Sequence, residues 1–137
     1  MARKPKTWAE KMNAPAPHLA RLERNYGGMM TGEMMLISSP QEVASHLKAH
    51  VQRGHTITVP ELRAGLAKEQ GAAGVCPMST GIFLRIAAEA AWDEMQEGAS
   101  ADDVTPFWRA VDPKSDLAKK LRCGPEWLAW QRATERT

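Results

Sequence analysis

The segment that decides the fold, residues 54–98, reads GHTITVPELRAGLAKEQGAAGVCPMSTGIFLRIAAEAAWDEMQEG. Within it Thr58 is a good N-cap for a helix, and Glu61 stands three residues later, where it completes a capping box. The helix predicted from this start ends near Gln70, because Gly71 can adopt the left-handed conformation that terminates helices.

A longer helix is predicted after a linker of small residues. Pro77 suits its first turn, and Gly98 can end it. Apolar residues recur on one face at helical spacing, which predicts that this face is buried. The predicted inner face comprises Ile82, Phe83, Ile86, Ala87 and Ala90, with Trp92 and Met95 further on. Two helices joined by a tight turn are a candidate helix-turn-helix.

Another helix is predicted before this pair. Ser39 provides its N-cap, Pro40 the first helical position and Glu42 a capping box, and the helix should run to about Gln52. A short strand is predicted just before it, at residues 33–38. The spacing of four between apolar residues predicts a core-facing stripe on this helix, made of Val43, Leu47 and Val51.

These elements predict a mainly α fold, namely a winged helix-turn-helix domain with a short strand or hairpin. We assign residues 33–137 to this domain. Residues 1–32 are predicted to form a basic N-terminal arm with a short helix at 7–13 and a second helical stretch that extends to Asn25.

The carboxyl-terminal part is predicted to close the domain. Residues 105–111 read as an extended or turn segment, and short helices are predicted at 113–121 and 125–133. Trp127 and Trp130 lie three residues apart on the last helix, so they should pack it on the body of the domain.

The composition is that of one soluble domain. The 137 residues are 43% hydrophobic and 25% charged, and no apolar run approaches the roughly 20 residues that a membrane span needs. The basic amino terminus lacks an apolar signal segment, so we expect a cytoplasmic monomer, with association with a bacterial nucleoid as an option. Cys76 and Cys123 predict two free thiols.

The net charge of +2 says little about partners, but the charges are unevenly distributed. The first 11 residues are basic, whereas the second half of the long predicted helix and the segment after it carry acids without any intervening base. The acidic block comprises Glu89, Asp93, Glu94, Glu97, Asp102 and Asp103. We expect it to be solvated and to face away from any bound polyanion.

Three features in order carry a resemblance to a known family: GHTITVPEL at 54–62, Gly81 in the long helix, and PFWRAV at 106–111. The chain resembles the DNA-binding domain of O6-alkylguanine-DNA alkyltransferases. That family has Pro-Cys-His-Arg-Val in the last segment, and its cysteine accepts the alkyl group. Here Phe107 and Trp108 stand in place of the cysteine and histidine, and a phenyl ring is no nucleophile. The resemblance therefore implies the kind of alkyltransferase-like protein that binds alkylated or damaged DNA without repairing it.

The resemblance also implies a set of site residues. The flipped base would enter a pocket lined by Pro106, Phe107, Trp108 and Arg109. The helix-turn-helix would lie in the minor groove of duplex DNA, with Met78 at the position of the family's arginine finger, where an apolar side chain can wedge between base steps. The implied DNA-binding residues are Thr58, Val59, Arg63, Met78, Ser79, Thr80, Gly81 and Arg85. A repair protein is a candidate partner, and no cofactor is implied.

Each of these residues also has a plain structural interpretation. Phe107 and Trp108 could fill the core, and Arg109 could fix its loop by hydrogen bonds. The same domain could instead bind a protein or RNA, and Cys76, at a predicted helix N-terminus, could serve a thiol enzyme. The spacing of His46, His50 and His55 gives too weak a pattern to predict a metal site.

Overall fold

The computed structural model describes residues 4–136, in which a small sheet and six α-helices pack around one core. Strands β1 (His18–Arg21) and β2 (Met34–Ile37) pair antiparallel, and β3 (Gly74–Val75) runs parallel to β2. The helices are α1 (Trp8–Lys11), α2 (Pro40–His50), α3 (Val59–Gln70), α4 (Pro77–Gln96), α5 (Asp116–Lys120) and α6 (Gly124–Glu135). The prediction of a mainly helical fold with a short strand is confirmed.

Residues 4–32 are part of the folded body. The helical stretch predicted up to Asn25 is wrong, because β1 lies there and pairs with β2, with His18 opposite Ile37. Pairing between distant residues has overridden local helix propensity. The domain boundary predicted between residues 32 and 33 falls inside this hairpin, and α1 in turn packs on α4.

The predicted helix starts of α2 and α3 are confirmed. The Ser39 hydroxyl accepts a hydrogen bond from the Glu42 backbone N–H at 3.0 Å, but the Glu42 carboxylate accepts from the Ser38 hydroxyl and so forms no box with Ser39. At α3 the box is reciprocal: the Thr58 hydroxyl accepts from the Glu61 N–H, and the Glu61 carboxylate accepts from the Thr58 N–H. These caps satisfy N–H groups that a helix leaves without internal partners.

The helix ends are also set by residue type. Gly71 terminates α3 with φ +65°, as predicted from the freedom of glycine in the left-handed region. Gly98, with φ +110°, follows the end of α4 at Gln96. Between α3 and α4 the chain makes the two-residue strand β3, so the predicted turn of the helix-turn-helix contains a strand that joins it to the sheet.

The buried face of α4 differs in part from the predicted one. Ala87 and Ala90 are buried as expected, but Ile82 is 53% exposed and Leu84 is fully buried. The α4 side that meets the core carries small residues between Leu84 and Ala91, which let α2 approach closely. Apolar spacing alone could not distinguish Ile82 from Leu84.

The acidic block is only partly solvated. The expectation that all of its residues face solvent is wrong for Glu89. Glu89 is 2% exposed, and the Arg122 guanidinium donates to its carboxylate at 3.0 Å through Nε. A second nitrogen of Arg122 lies 2.8 Å from the Asp93 carboxylate. A buried carboxylate needs such a partner, and here it comes from the segment between α5 and α6.

No helix between residues 4 and 136 combines the length and the apolar character needed to cross a bilayer.

Candidate nucleic-acid interface

The segment expected to line a base pocket lies in the hydrophobic core. Phe107 and Trp108 begin a short 3₁₀ turn, and both side chains are 0% exposed. The Phe107 ring stacks on Trp127 with centroids 5.7 Å apart and meets Trp108 edge to face at 5.3 Å. Pro106 is buried as well. The prediction that Phe107 and Trp108 wall an open pocket is therefore wrong, because α6 covers them with Trp127.

Arg109, the last residue of that segment, is committed to structure. Its Nε and one terminal nitrogen donate to the two oxygens of Glu135 at 2.9 and 2.8 Å, and the other terminal nitrogen donates to the Val51 carbonyl at 2.9 Å. Burial by itself would raise the pKa of the Glu135 carboxyl, but these hydrogen bonds outweigh it and the pKa is lowered. The guanidinium thus links the 3₁₀ turn at Phe107–Arg109 to α6 and to Val51, the residue that follows α2. It is not available to a phosphate.

The nearest surface depression to this segment is polar. It is lined by Pro106 and Arg109 together with Lys48, Asp102 and Asp103. Two carboxylates repel a polyanion, and neither Phe107 nor Trp108 reaches this surface. This depression offers no stacking platform for a base.

The amino-terminal half of α4 presents a very different surface. Met78 is 72% exposed and Ile82 is 53% exposed. Arg85 follows three residues after Ile82, so the three side chains lie on one stripe of the helix at spacings of four and three. Two neighbouring exposed apolar side chains beside a cation make this half of α4 a candidate contact surface.

The Arg85 side chain packs against α1. Its guanidinium lies 5.6 Å from the centroid of the Trp8 ring on α1. Its Nε is buried and has no hydrogen-bond partner among residues 4–136. Because this atom is buried, an incoming anion could reach only the terminal nitrogens of Arg85 unless the Trp8 contact opens.

The small residues at the start of α4 have different roles. Thr80 is fully buried and its hydroxyl donates to the Cys76 carbonyl at 2.9 Å, so the prediction that it contacts DNA is wrong. Ser79 is half-buried and donates to the same carbonyl at 3.4 Å. A side chain added at Gly81 would meet open space, so this position leaves the helix surface free for a close approach.

The predicted α3 residues divide into two groups. The predicted residue Arg63 lines a depression that extends to Gly27 and to β3, the strand that precedes α4. The other two predicted contacts, Thr58 and Val59, line a separate depression with Asp112 and Arg132. The structure therefore separates Arg63 from Thr58 and Val59, and neither depression is lined by a residue of α4.

The Cys76 thiol lies at the N-cap of α4. Burial alone would raise its pKa, but hydrogen bonds from Ser79, from the Tyr26 hydroxyl at 3.9 Å and from the Met78 backbone outweigh burial, so the pKa is lowered. The other thiol, Cys123, is half-buried near the Glu89 carboxylate, and burial raises its pKa to about 11. The pKa values of the two thiols are thus shifted in opposite directions, down for Cys76 and up for Cys123.

We expect alkylation by iodoacetamide near pH 8 to label Cys76 well before Cys123. The thiolate is the reactive form, and a thiol with a pKa of about 11 is only about one part in a thousand ionised at that pH. Peptide mapping of a time course would measure both rates in the same molecule, which makes Cys123 the internal control. Equal rates, or faster labelling of Cys123, would contradict the assignment.

The sequence analysis missed two aromatic contributors to this region, Trp8 and Tyr26, because it treated the first 32 residues as an arm. One signal was present: Thr7 and Glu10 form a reciprocal capping box that fixes the start of α1. Nothing local in the sequence indicates that Tyr26 approaches Cys76, 50 residues later.

Comparison of the chain with protein-family models, curated proteins and solved structures finds no match in any of the three.

Proposed function

We propose that this chain is a non-catalytic, alkyltransferase-like DNA-binding protein of the winged helix-turn-helix class, which places the first half of α4 in the minor groove of duplex DNA. One observation carries the proposal: Met78 and Ile82 protrude side by side from the start of a 20-residue helix. Minor-groove proteins insert apolar side chains of this kind between base steps.

The charge around this end of α4 favours a phosphate backbone. The first turn of the helix contains no acidic residue, so the positive end of its dipole is not neutralised there. Backbone N–H groups at such an end attract phosphate, and Arg85 and Arg63 supply cations on the two flanks. These contacts would position the protein on the duplex and would not read its sequence.

The proposed protein binds without turnover. Phe107 stands where the related family has its alkyl acceptor, and no reactive atom replaces the cysteine sulfur. The Cys76 thiol is the alternative nucleophile, but the side chains hydrogen-bonded to it are the hydroxyls of Ser79 and Tyr26, and both are weak bases. We therefore favour binding over a thiol enzyme.

Damage recognition in this proposal does not use a pocket at residues 106–109, since the core fills that space. We infer instead that an apolar wedge discriminates by the cost of unstacking. This cost is smallest at a mismatched or damaged base pair. A preference for O6-methylguanine should therefore be shared by an undamaged mismatch.

Anisotropy titrations of labelled duplexes at several salt concentrations would test this. The duplexes contain O6-methylguanine, a G·T mismatch or only intact pairs. We expect affinity to fall linearly on a double-logarithmic salt plot and both weakened duplexes to bind better than the intact one. Met78→Ala should remove that preference, and Arg85→Gln should reduce the salt slope by about one.

The control for charge is Arg136→Gln, which changes an exposed arginine beyond the end of α6. It should retain the wild-type slope and preference. Absence of binding at low salt would remove the DNA proposal. Appearance of a labelled methyl group on the polypeptide after incubation with methylated duplex would remove its non-catalytic part.

One observation favours a second function on the same scaffold, a protein- or RNA-interaction module. Exposed apolar side chains are not confined to α4, since Leu19, Tyr26 and Met30 are also exposed. A protein partner, such as a repair protein, would bury these side chains with little dependence on salt. The same titrations distinguish the two functions, because binding through phosphates has a steep salt slope.

A further inference from the structure

A cluster of three metal-ligating side chains lies between α2 and α3, and the DNA proposal does not use it. His46 and His50 are four residues apart on α2, so both imidazoles lie on one face of the helix. Glu69 comes from the last turn of α3. One nitrogen of each ring and a carboxylate oxygen all lie within 4.8 Å of one another.

The carboxylate of Glu69 joins the two rings. His46 Nδ1 is 2.7 Å from Glu69 Oε1, and His50 Nε2 is 2.9 Å from the same oxygen. The ring centroids are 4.5 Å apart and the rings are tilted by 39°, so the two nitrogens converge on one point. That point is the Glu69 oxygen itself, at hydrogen-bond distance from both rings, so three potential metal donors from two helices lie close enough for one ion to gather them.

The His46 ring packs closely against the α3 backbone at Gly65. The His46 side chain is 8% exposed, and a Cβ built at Gly65 would lie 2.7 Å from its Nε2 and 2.6 Å from its Cε1. A glycine inside a helix costs about 1 kcal/mol relative to alanine, and room for this ring explains its presence in the middle of α3. With Nε2 against the α3 backbone, Nδ1 is the ring nitrogen that faces the cluster.

We propose that His46, His50 and Glu69 bind one divalent transition-metal ion of the zinc class, with the remaining position open to solvent. Two imidazoles and one carboxylate are a common set of three protein ligands for zinc, and bonds of about 2.0–2.1 Å would place the donor atoms about 3.4 Å apart. The present nitrogen-to-oxygen separations of 2.7 and 2.9 Å would need to widen by about 0.7 and 0.5 Å to reach this value. His50 and Glu69, at 57% and 41% exposure, leave the ion an entry path.

Isothermal titration with zinc chloride, after treatment of the protein with a chelator, tests the proposal. We expect one ion per chain. His50→Ala and Glu69→Gln each remove one ligand from an exposed position and should weaken binding by about tenfold or more. Cobalt(II) provides an independent readout, since a tetrahedral site gives visible absorption that His50→Ala should abolish.

Two histidines outside the cluster provide matched controls. His55→Ala and His18→Ala each remove an exposed imidazole and should leave zinc affinity unchanged. Gly65→Ala displaces the His46 ring without removing a ligand and should also weaken binding, provided that circular dichroism shows a native helix content. Equal affinity of the wild-type protein and His50→Ala, or equal losses in the control variants, would overturn the proposal whatever the outcome of the DNA titrations.

Discussion

Replacement of Arg109 with methionine lowers the free energy of unfolding by about 3–5 kcal/mol, the loss expected when one partner of a buried ion pair is removed. The Glu135 carboxylate, 3% exposed, would be left in the core without its cation, and the Val51 carbonyl would lose its donor. Urea denaturation followed by tryptophan fluorescence measures this change. In a chain of this size, the melting temperature should fall by roughly 10 °C or more.

A double variant separates the burial of an unpaired charge from a general loss of packing. Arg109→Met combined with Glu135→Leu removes both charges and should recover most of the lost free energy, since an apolar pair can replace a buried ion pair. Arg136→Gln, at an exposed arginine next to Glu135 in sequence, should change stability by no more than about 0.5 kcal/mol. A double variant as unstable as Arg109→Met would show that the ion pair is not the cause.

Truncation of Phe107 to alanine should cost a similar amount, about 3–5 kcal/mol, because it opens a cavity in a closed aromatic cluster. The Phe107 ring contacts both Trp108 and Trp127 and is 0% exposed. Phe107→Leu keeps most of the volume and should cost less than half as much. Chemical denaturation of the three proteins provides the comparison, and a loss below about 1 kcal/mol for the alanine variant would contradict the buried position.

The same burial predicts the outcome of restoring a nucleophile. Phe107→Cys puts a thiol at the position that corresponds, in the proposed resemblance, to the alkyl acceptor of the alkyltransferases, but the side chain lies beneath Trp127. We expect no methyl transfer from O6-methylguanine DNA to this variant. Transfer to the introduced thiol would show that the segment can open to a base, which would return the pocket interpretation to the proposed mechanism.

Most of the helices could be predicted from the sequence because their signals are local. Ser39, Thr58 and Gly71 each act through hydrogen bonds or dihedral angles within a few residues of themselves. Such local determinants are visible in any single sequence.

The features that could not be predicted depend on contacts between distant residues. Ile82 and Leu84 are both apolar, and only the packing of α2 on α4 decides which is buried. Glu89 reads as a surface acid until Arg122, 33 residues later, pairs with it. His46 and His50 formed too weak a metal pattern because their third ligand, Glu69, is contributed by another helix.

The hairpin formed by β1 and β2 has a consequence for any shortened version of this protein. Strand β2 lies between β1 and β3, so it is shielded on both sides in the intact chain. A fragment starting at residue 33 would leave the backbone of an apolar strand, Met34–Ile37, open along its whole length. Open apolar edges recruit further strands from neighbouring molecules, so we expect the fragment, whose edge strand would be the apolar β2 in place of β1, to self-associate more than the intact chain.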